Sequence, residues 1–202
     1  MLSVSKLVTF VLIGTGAARS IQIPKPKISF PSDVGCGDVN VFYTGLAAYH
    51  PLVISQGSDP VEIDIALRNN TANLVKAGFN IYALFQGPDQ PVSNLGDRMK
   101  GKHWGVTGVG WGIRNSTTPE LVTWFEEILI EYRETEPLAP TVFNWGASTL
   151  AQSVTRHVPL NEDCTNKPGT LYGYEEICPP ELCEKATVVK SGSLGELLRG
   201  IE

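Results

Sequence analysis

Residues 59–86 read DPVEIDIALRNNTANLVKAGFNIYALFQ. Asp59 can accept orphan amide protons, Pro60 suits the first helical position, and Glu62 complements the positive end of the helix dipole. The pattern predicts a helix to about Ala77. Ile63, Leu67, Asn70 and Leu74 form one inward stripe with Val75 beside it, and Gly78 supplies a left-handed stop. Asn80 to Gln86 then reads as a strand closed by Gly87-Pro88. A helix that runs straight into a strand begins the alternation that builds parallel sheets.

The alternation continues on both sides. Upstream, Val39 to Leu46 (VNVFYTGL) is rich in β-branched and aromatic residues and reads as a strand. Downstream, Pro91 to His103 carries few apolar residues and predicts a short, poorly packed helix or a loop. Trp104 to Gly112 (WGVTGVGWG) predicts a strand with a glycine-rich end. Thr118-Pro119-Glu120 starts a second strong helix, striped by Leu121, Phe125, Ile128 and Tyr132 with Val122 and Leu129. Pro137 and Pro140 end it, Thr141 to Trp145 is a further strand, and Ser148 or Thr149 caps a last helix to about His157. The expected fold is α/β: a short parallel four-stranded sheet with helices on both faces, in the flavodoxin-like order 2-1-3-4. It occupies residues 39–160, and residues 161–202 read as an irregular, cysteine-containing tail. With 202 residues, 42% hydrophobic and 18% charged, the chain can build one core.

Residues 1–18 have signal-peptide grammar: one charge at Lys6, an apolar run from Leu7 to Ile13, and small residues from Gly14 to Ala18, with cleavage after Ala17 or Ala18. The run is too short to span a bilayer, and no other segment would anchor the mature chain. Residues 19–38, with Pro24, Pro26, Pro31, Gly35 and Gly37, read as a linker. The expected location is secreted. Asn69 and Asn115 each open an N-glycosylation triplet. Four cysteines allow three pairings, and an oxidising compartment favours disulfides. The pairing preferred is Cys178 with Cys183, closing a short Pro-Pro loop, which leaves Cys36 with Cys164 to tie the domain's entry to its exit. Zinc is the poorer reading, because Cys-x₄-Cys is a loose spacing with no histidine near it, so no metal is expected.

The net charge of −5 and the absence of any basic cluster argue against a nucleic-acid partner. In an open parallel sheet, ligands bind beyond the carboxyl ends of the strands. Those ends supply Gly45, Gly110, Gly112, Arg114 and Asn144. Glycines let backbone approach a ligand, Arg114 can grip a carboxylate or phosphate, and the Asn144 amide both donates and accepts. The dinucleotide fingerprint fails, since position 113 is Ile and the turn follows the third strand, and no P-loop occurs. No cofactor is implied. Ser148 lacks the nucleophile elbow, and His50, His103 and His157 read as solvated residues without ligand spacing. No catalytic residue can be named.

From about Val41 to His157 the chain resembles a family of short α/β proteins of bacteria and fungi. The likeness rests on Val109-Gly110-Trp111-Gly112-Ile113-Arg114, the helix Leu121 to Ile130, and Val142-Phe143-Asn144, which match a Gly-x-Gly-x-Arg turn and a Phe-Asn strand end. The resemblance implies the flavodoxin-like layout and the importance of Gly110, Gly112, Arg114 and Asn144, and it implies no activity. Two functions follow as expectations: binding of a small anionic molecule at the strand ends, or a non-catalytic secreted interaction protein, host-facing or of the cell wall.

Overall fold

A computed structural model describes residues 27–189 and 191–199. The expected signal sequence and the first part of the linker lie outside the described residues. In chain order the elements are β1 (Asn40–Gly45), α1 (Pro51–Ser55), α2 (Pro60–Lys76), β2 (Asn80–Gln86), α3 (Ser93–Met99), β3 (Val106–Val109), α4 (Trp111–Arg114), α5 (Pro119–Thr135), β4 (Thr141–Phe143), α6 (Leu150–Thr155), β5 (Leu171–Ile177), β6 (Val188–Val189) and α7 (Leu194–Leu197).

Helix α2 forms for the reasons its sequence announces. Asp59 Oδ1 accepts from the Val61 amide at 2.8 Å, Pro60 occupies the first turn, and Gly78 ends the helix at φ +97°. At Gly78 an added Cβ would also stand 2.5 Å from Cys164 Sγ, so both conformation and space exclude a side chain. Helix α6 does not follow its expected chemistry. Thr149 precedes it, but the hydroxyl makes no cap bond to the helix; it donates to Gly146 O and accepts from the Trp145 amide instead.

The protein is α/β, but the expected four-stranded parallel sheet is corrected to a mixed sheet of six strands in the order β4-β3-β1-β2-β5-β6. Strands β1 to β5 run parallel, and β6 pairs antiparallel with β5. Residues 171–177, expected in an irregular tail, lie inside the sheet beside β2. Their Glu175-Glu176 pair disguised a strand, because each carboxylate is satisfied by groups far away in sequence. Glu176 accepts from the Ala48 amide at 2.9 Å and the Tyr174 hydroxyl at 3.0 Å. Glu175 accepts from Tyr82 and from Arg98.

Helices cover both faces. Ala72, Leu74 and Val75 of α2, Leu150 and Val154 of α6 and Leu197 of α7 pack on Val41, Tyr43, Ile81 and Phe85. On the other face Leu95 and Met99 of α3 and Leu121, Trp124, Ile128 and Tyr132 of α5 pack on Phe42, Leu84 and Val109. The inward stripe of α2 differs from the expected one. Asp64 and Arg68 are buried, while Ile63 and Leu67 are only half-buried. The reason is the chain's end: Arg68 donates to the carbonyls of Leu197 and Arg199, and Asp64 receives Arg68 at 2.5 Å and Lys185 at 3.1 Å. Charges this deep persist only when paired.

Cys36 is bonded to Cys164 and Cys178 to Cys183. The first bridge ties the segment before β1 to the segment between α6 and β5, beside the parallel bridge between Val34 and Leu160. The expected tie of the domain's entry to its exit is corrected, because β5 and β6 follow Cys164. Two disulfides fit an oxidising compartment. Among the described residues no helix is long and apolar enough to cross a membrane.

Candidate functional site

Strand β1 leaves its carboxyl end toward α2 on one face of the sheet, whereas its neighbour β3 leaves through α4 toward α5 on the other. Chains that part in this way open a crevice between them. A cavity of about 150 Å³ lies there, lined by Tyr43 and Gly45 of β1, by Gly110, Trp111 and Gly112 after β3, and by Asn144 after β4. Val53 of α1, Ile63 and Leu67 of α2, and Gln56 and Ser58 between those helices close its other side. The half-exposure of Ile63 and Leu67 follows: each lines the cavity while also packing against the core.

The glycine-rich segment expected to extend β3 to residue 112 instead forms the single helical turn α4. Its glycines have different roles. Gly110 donates its amide to Thr44 O at 2.7 Å, and a Cβ on it would meet Gly45 Cα at 3.2 Å and Thr44 O at 3.3 Å. Gly45 and Gly110 thus let two backbones touch and form the cavity's floor. Gly112 is different, because a Cβ there would meet only Leu46 Cδ1, at 3.8 Å.

Arg114, the expected anion anchor, does not line the cavity. Its Nη2 donates to Asn144 O at 2.6 Å, and its guanidinium lies 4.9 Å from the Trp111 ring centre and 5.5 Å from that of Phe143. Its Nε is buried without a partner among the described residues. Arg114 is a brace between α4 and β4. Its charge still reaches Tyr43: burial pushes that phenol far above its ordinary range, and the guanidinium pulls it partway back.

Asn144 is 3% exposed. Its Nδ2 donates to Gly146 O at 2.7 Å, which fixes the amide's orientation, because the flipped form would set two oxygens against each other. Its Oδ1 is buried without a partner among the described residues. An orphan acceptor of this kind costs about 1–3 kcal/mol, which a donor from a ligand would recover.

The other sequence-predicted residues are dispersed. Asn69 is exposed on α2, and Asn115 is exposed at the cavity's edge. The expectation of a solvated His50 is corrected. His50 is buried, accepts from the Leu52 amide at Nδ1 as the cap of α1, and donates through Nε2 to Asp89 at 2.8 Å. Both ring nitrogens are committed, so it serves structure. His103 is exposed near Glu136, and His157 stacks on Phe30 at 4.3 Å.

No family model, curated protein or solved structure matches this chain.

Proposed function

We propose that this is a secreted protein that binds a small uncharged molecule in the cavity between β1 and β3. The observation that carries the reading is that Asn144, whose Oδ1 has no partner among the described residues, lines a cavity none of whose lining residues bears a formal charge. An acceptor calls for a ligand that donates, such as a hydroxyl or an amide, whereas a carboxylate or phosphate would oppose it. The anion expected from Arg114 is therefore replaced by a neutral donor. A cavity of about 150 Å³ holds one ring of the ligand. The lining offers no histidine, carboxylate, lysine or thiol, so the reading is of binding rather than catalysis. Export through a signal sequence at residues 1–18, glycans on Asn69 and Asn115, and kinship with the short α/β proteins that the Gly-x-Gly-x-Arg turn resembles belong to the same proposal.

The test uses Gly112→Leu, which grows a side chain into the cavity where there is room for it. The variant should fold normally. A thermal-shift screen of neutral hydroxyl and amide compounds against phosphate and citrate should stabilise the native protein with neutral compounds only, by about 2.7 kcal/mol at a hundredfold excess over Kd. Gly112→Leu should lose that response. Stabilisation by anions alone, or a response that survives Gly112→Leu, would overturn the proposal.

A surface-interaction role is the second reading, favoured by the position of Asn115 at the cavity's edge. A glycan there would crowd the entrance, and intact mass before and after glycosidase treatment reveals it.

A further inference from the structure

Trp111 and Trp145 occupy matching positions. Val109 pairs with Phe143 across β3 and β4, and each tryptophan stands two residues beyond its strand's last pair, on segments that leave the sheet about 5 Å apart. Each indole also has an arginine laid against it. Arg114 Cζ lies 4.9 Å from the Trp111 ring centre, and Arg156 Cζ lies 4.9 Å from that of Trp145. The two guanidinium groups are themselves pinned to consecutive carbonyls at the end of β4. Arg156 Nη2 donates to Phe143 O at 3.2 Å, and Arg114 Nη2 donates to Asn144 O at 2.6 Å.

These pairs hold two aromatic plates at the rim. Trp111 lines the cavity, and Trp145, the residue after Asn144, is 48% exposed. Leaving so large an indole in water costs hydrophobic free energy, and fixing its ring costs conformational entropy. A flat apolar plate beside a cavity of neutral amides and hydroxyls matches one chemistry closely. A pyranose ring presents hydroxyls around its equator, which donate to and accept from amides. It also presents patches of polarised C–H bonds on its faces, which pack on the electron-rich face of an indole.

We propose that the cavity takes one pyranose unit of a neutral carbohydrate against Trp111 and Asn144, and that Trp145 is the platform for the next sugar along the chain. The inference rests on the reading of the cavity as a site for an uncharged donor and names its ligand class. The cavity accommodates a single ring, so further units extend over the rim toward Trp145.

Calorimetric titration of the full mature chain with the methyl glycosides of glucose, mannose and N-acetylglucosamine, and with their linear trisaccharides, tests this. Benzamide, nicotinamide and adenine serve as neutral donors that are not sugars. At least one sugar series should bind, its trisaccharide more tightly than its methyl glycoside. Trp145→Ala, at a half-exposed position, should weaken the trisaccharide roughly tenfold and leave the methyl glycoside within about twofold. Trp145→Phe should restore part of the loss. If the non-sugar donors bind, Gly112→Leu abolishes that binding, and no sugar binds, the carbohydrate inference falls while the cavity reading stands. If no compound of either set binds, both fall. Unchanged trisaccharide affinity in Trp145→Ala removes the platform and overturns the proposal.

Discussion

Replacing the two disulfides separately by alanine pairs should have very different costs. A bridge stabilises mainly by denying the unfolded chain its freedom, and the effect grows with the logarithm of the loop it closes. The Cys36–Cys164 bridge spans 128 residues and the Cys178–Cys183 bridge 5, which gives about 5 and about 2 kcal/mol respectively. The structure adds to the larger figure. Cys164 is buried against Gly78, and the segment that Cys36 anchors makes four polar contacts with the body, one of them from the Cys36 amide to Glu162 Oε1 at 3.2 Å. The other three are the Gly37 amide to Gly78 O at 2.7 Å, Asn80 Nδ2 to Gly37 O at 2.7 Å, and the Asn161 amide to Val34 O at 3.0 Å. Equilibrium urea unfolding of Cys36→Ala/Cys164→Ala and of Cys178→Ala/Cys183→Ala, read by tryptophan fluorescence, measures both losses on one scale. The first should exceed the second by about 3 kcal/mol, enough to leave a domain of ordinary stability partly unfolded at 37 °C. Equal losses, or a larger loss from the short loop, would refute the view that the long bridge fastens the approach to β1 to the segment that leads into β5.

Gly110→Ala should destabilise by roughly 1–3 kcal/mol, because the atoms its Cβ meets are backbone atoms of β1 that cannot turn aside. Thermal melts should place it well below Gly112→Leu, two positions away, and equal melting points would contradict the assignment of the floor. Glu176 gives a pH prediction. Its burial raises the carboxyl above its ordinary value of 4.5, and the Asp64 charge adds to this, while the Ala48 amide, the Tyr174 hydroxyl and Arg68 act against it. The folded protein therefore holds that proton more tightly than the unfolded chain. The contribution to stability is full below pH 4.5 and is lost as pH rises through the raised value. Glu176→Gln keeps an oxygen for the Ala48 amide and removes the titration, so wild-type stability measured relative to this variant should decline as pH rises above 4.5. Parallel urea midpoints across that range would show that Glu176 does not titrate in this way. The exposed Asp97, Glu162 and Asp163 are shifted downward and contribute equally to both proteins.

The local elements were legible because their signals are local. Asp59 and Pro60 start α2 and Gly78 stops it whatever lies beyond, and Asn80 to Gln86 declares a strand through its own β-branched and aromatic residues. The alternation of such elements was sufficient for the α/β class with helices on both faces. The strand ends at Gly45, Gly110 and Asn144 were also within reach, since any parallel sheet places its crevice there. What remained hidden depended on which distant segment arrives next to a given side chain. Asp64 and Arg68 stand outside the inward stripe read from the sequence, and it is Lys185 and the carbonyls of Leu197 and Arg199 that let them be buried; Glu175-Glu176 fell in the expected irregular tail, and it is Ala48, Tyr174, Tyr82 and Arg98 that satisfy them within the sheet. Arg114 looked like a free cation at a ligand site, and tertiary structure placed it under Asn144 O and Trp111. Hydrophobic period and capping belong to a short stretch of backbone, so sequence alone determines them. The partner of a polar or charged side chain is set by the path of the rest of the chain, and only the folded arrangement decides that.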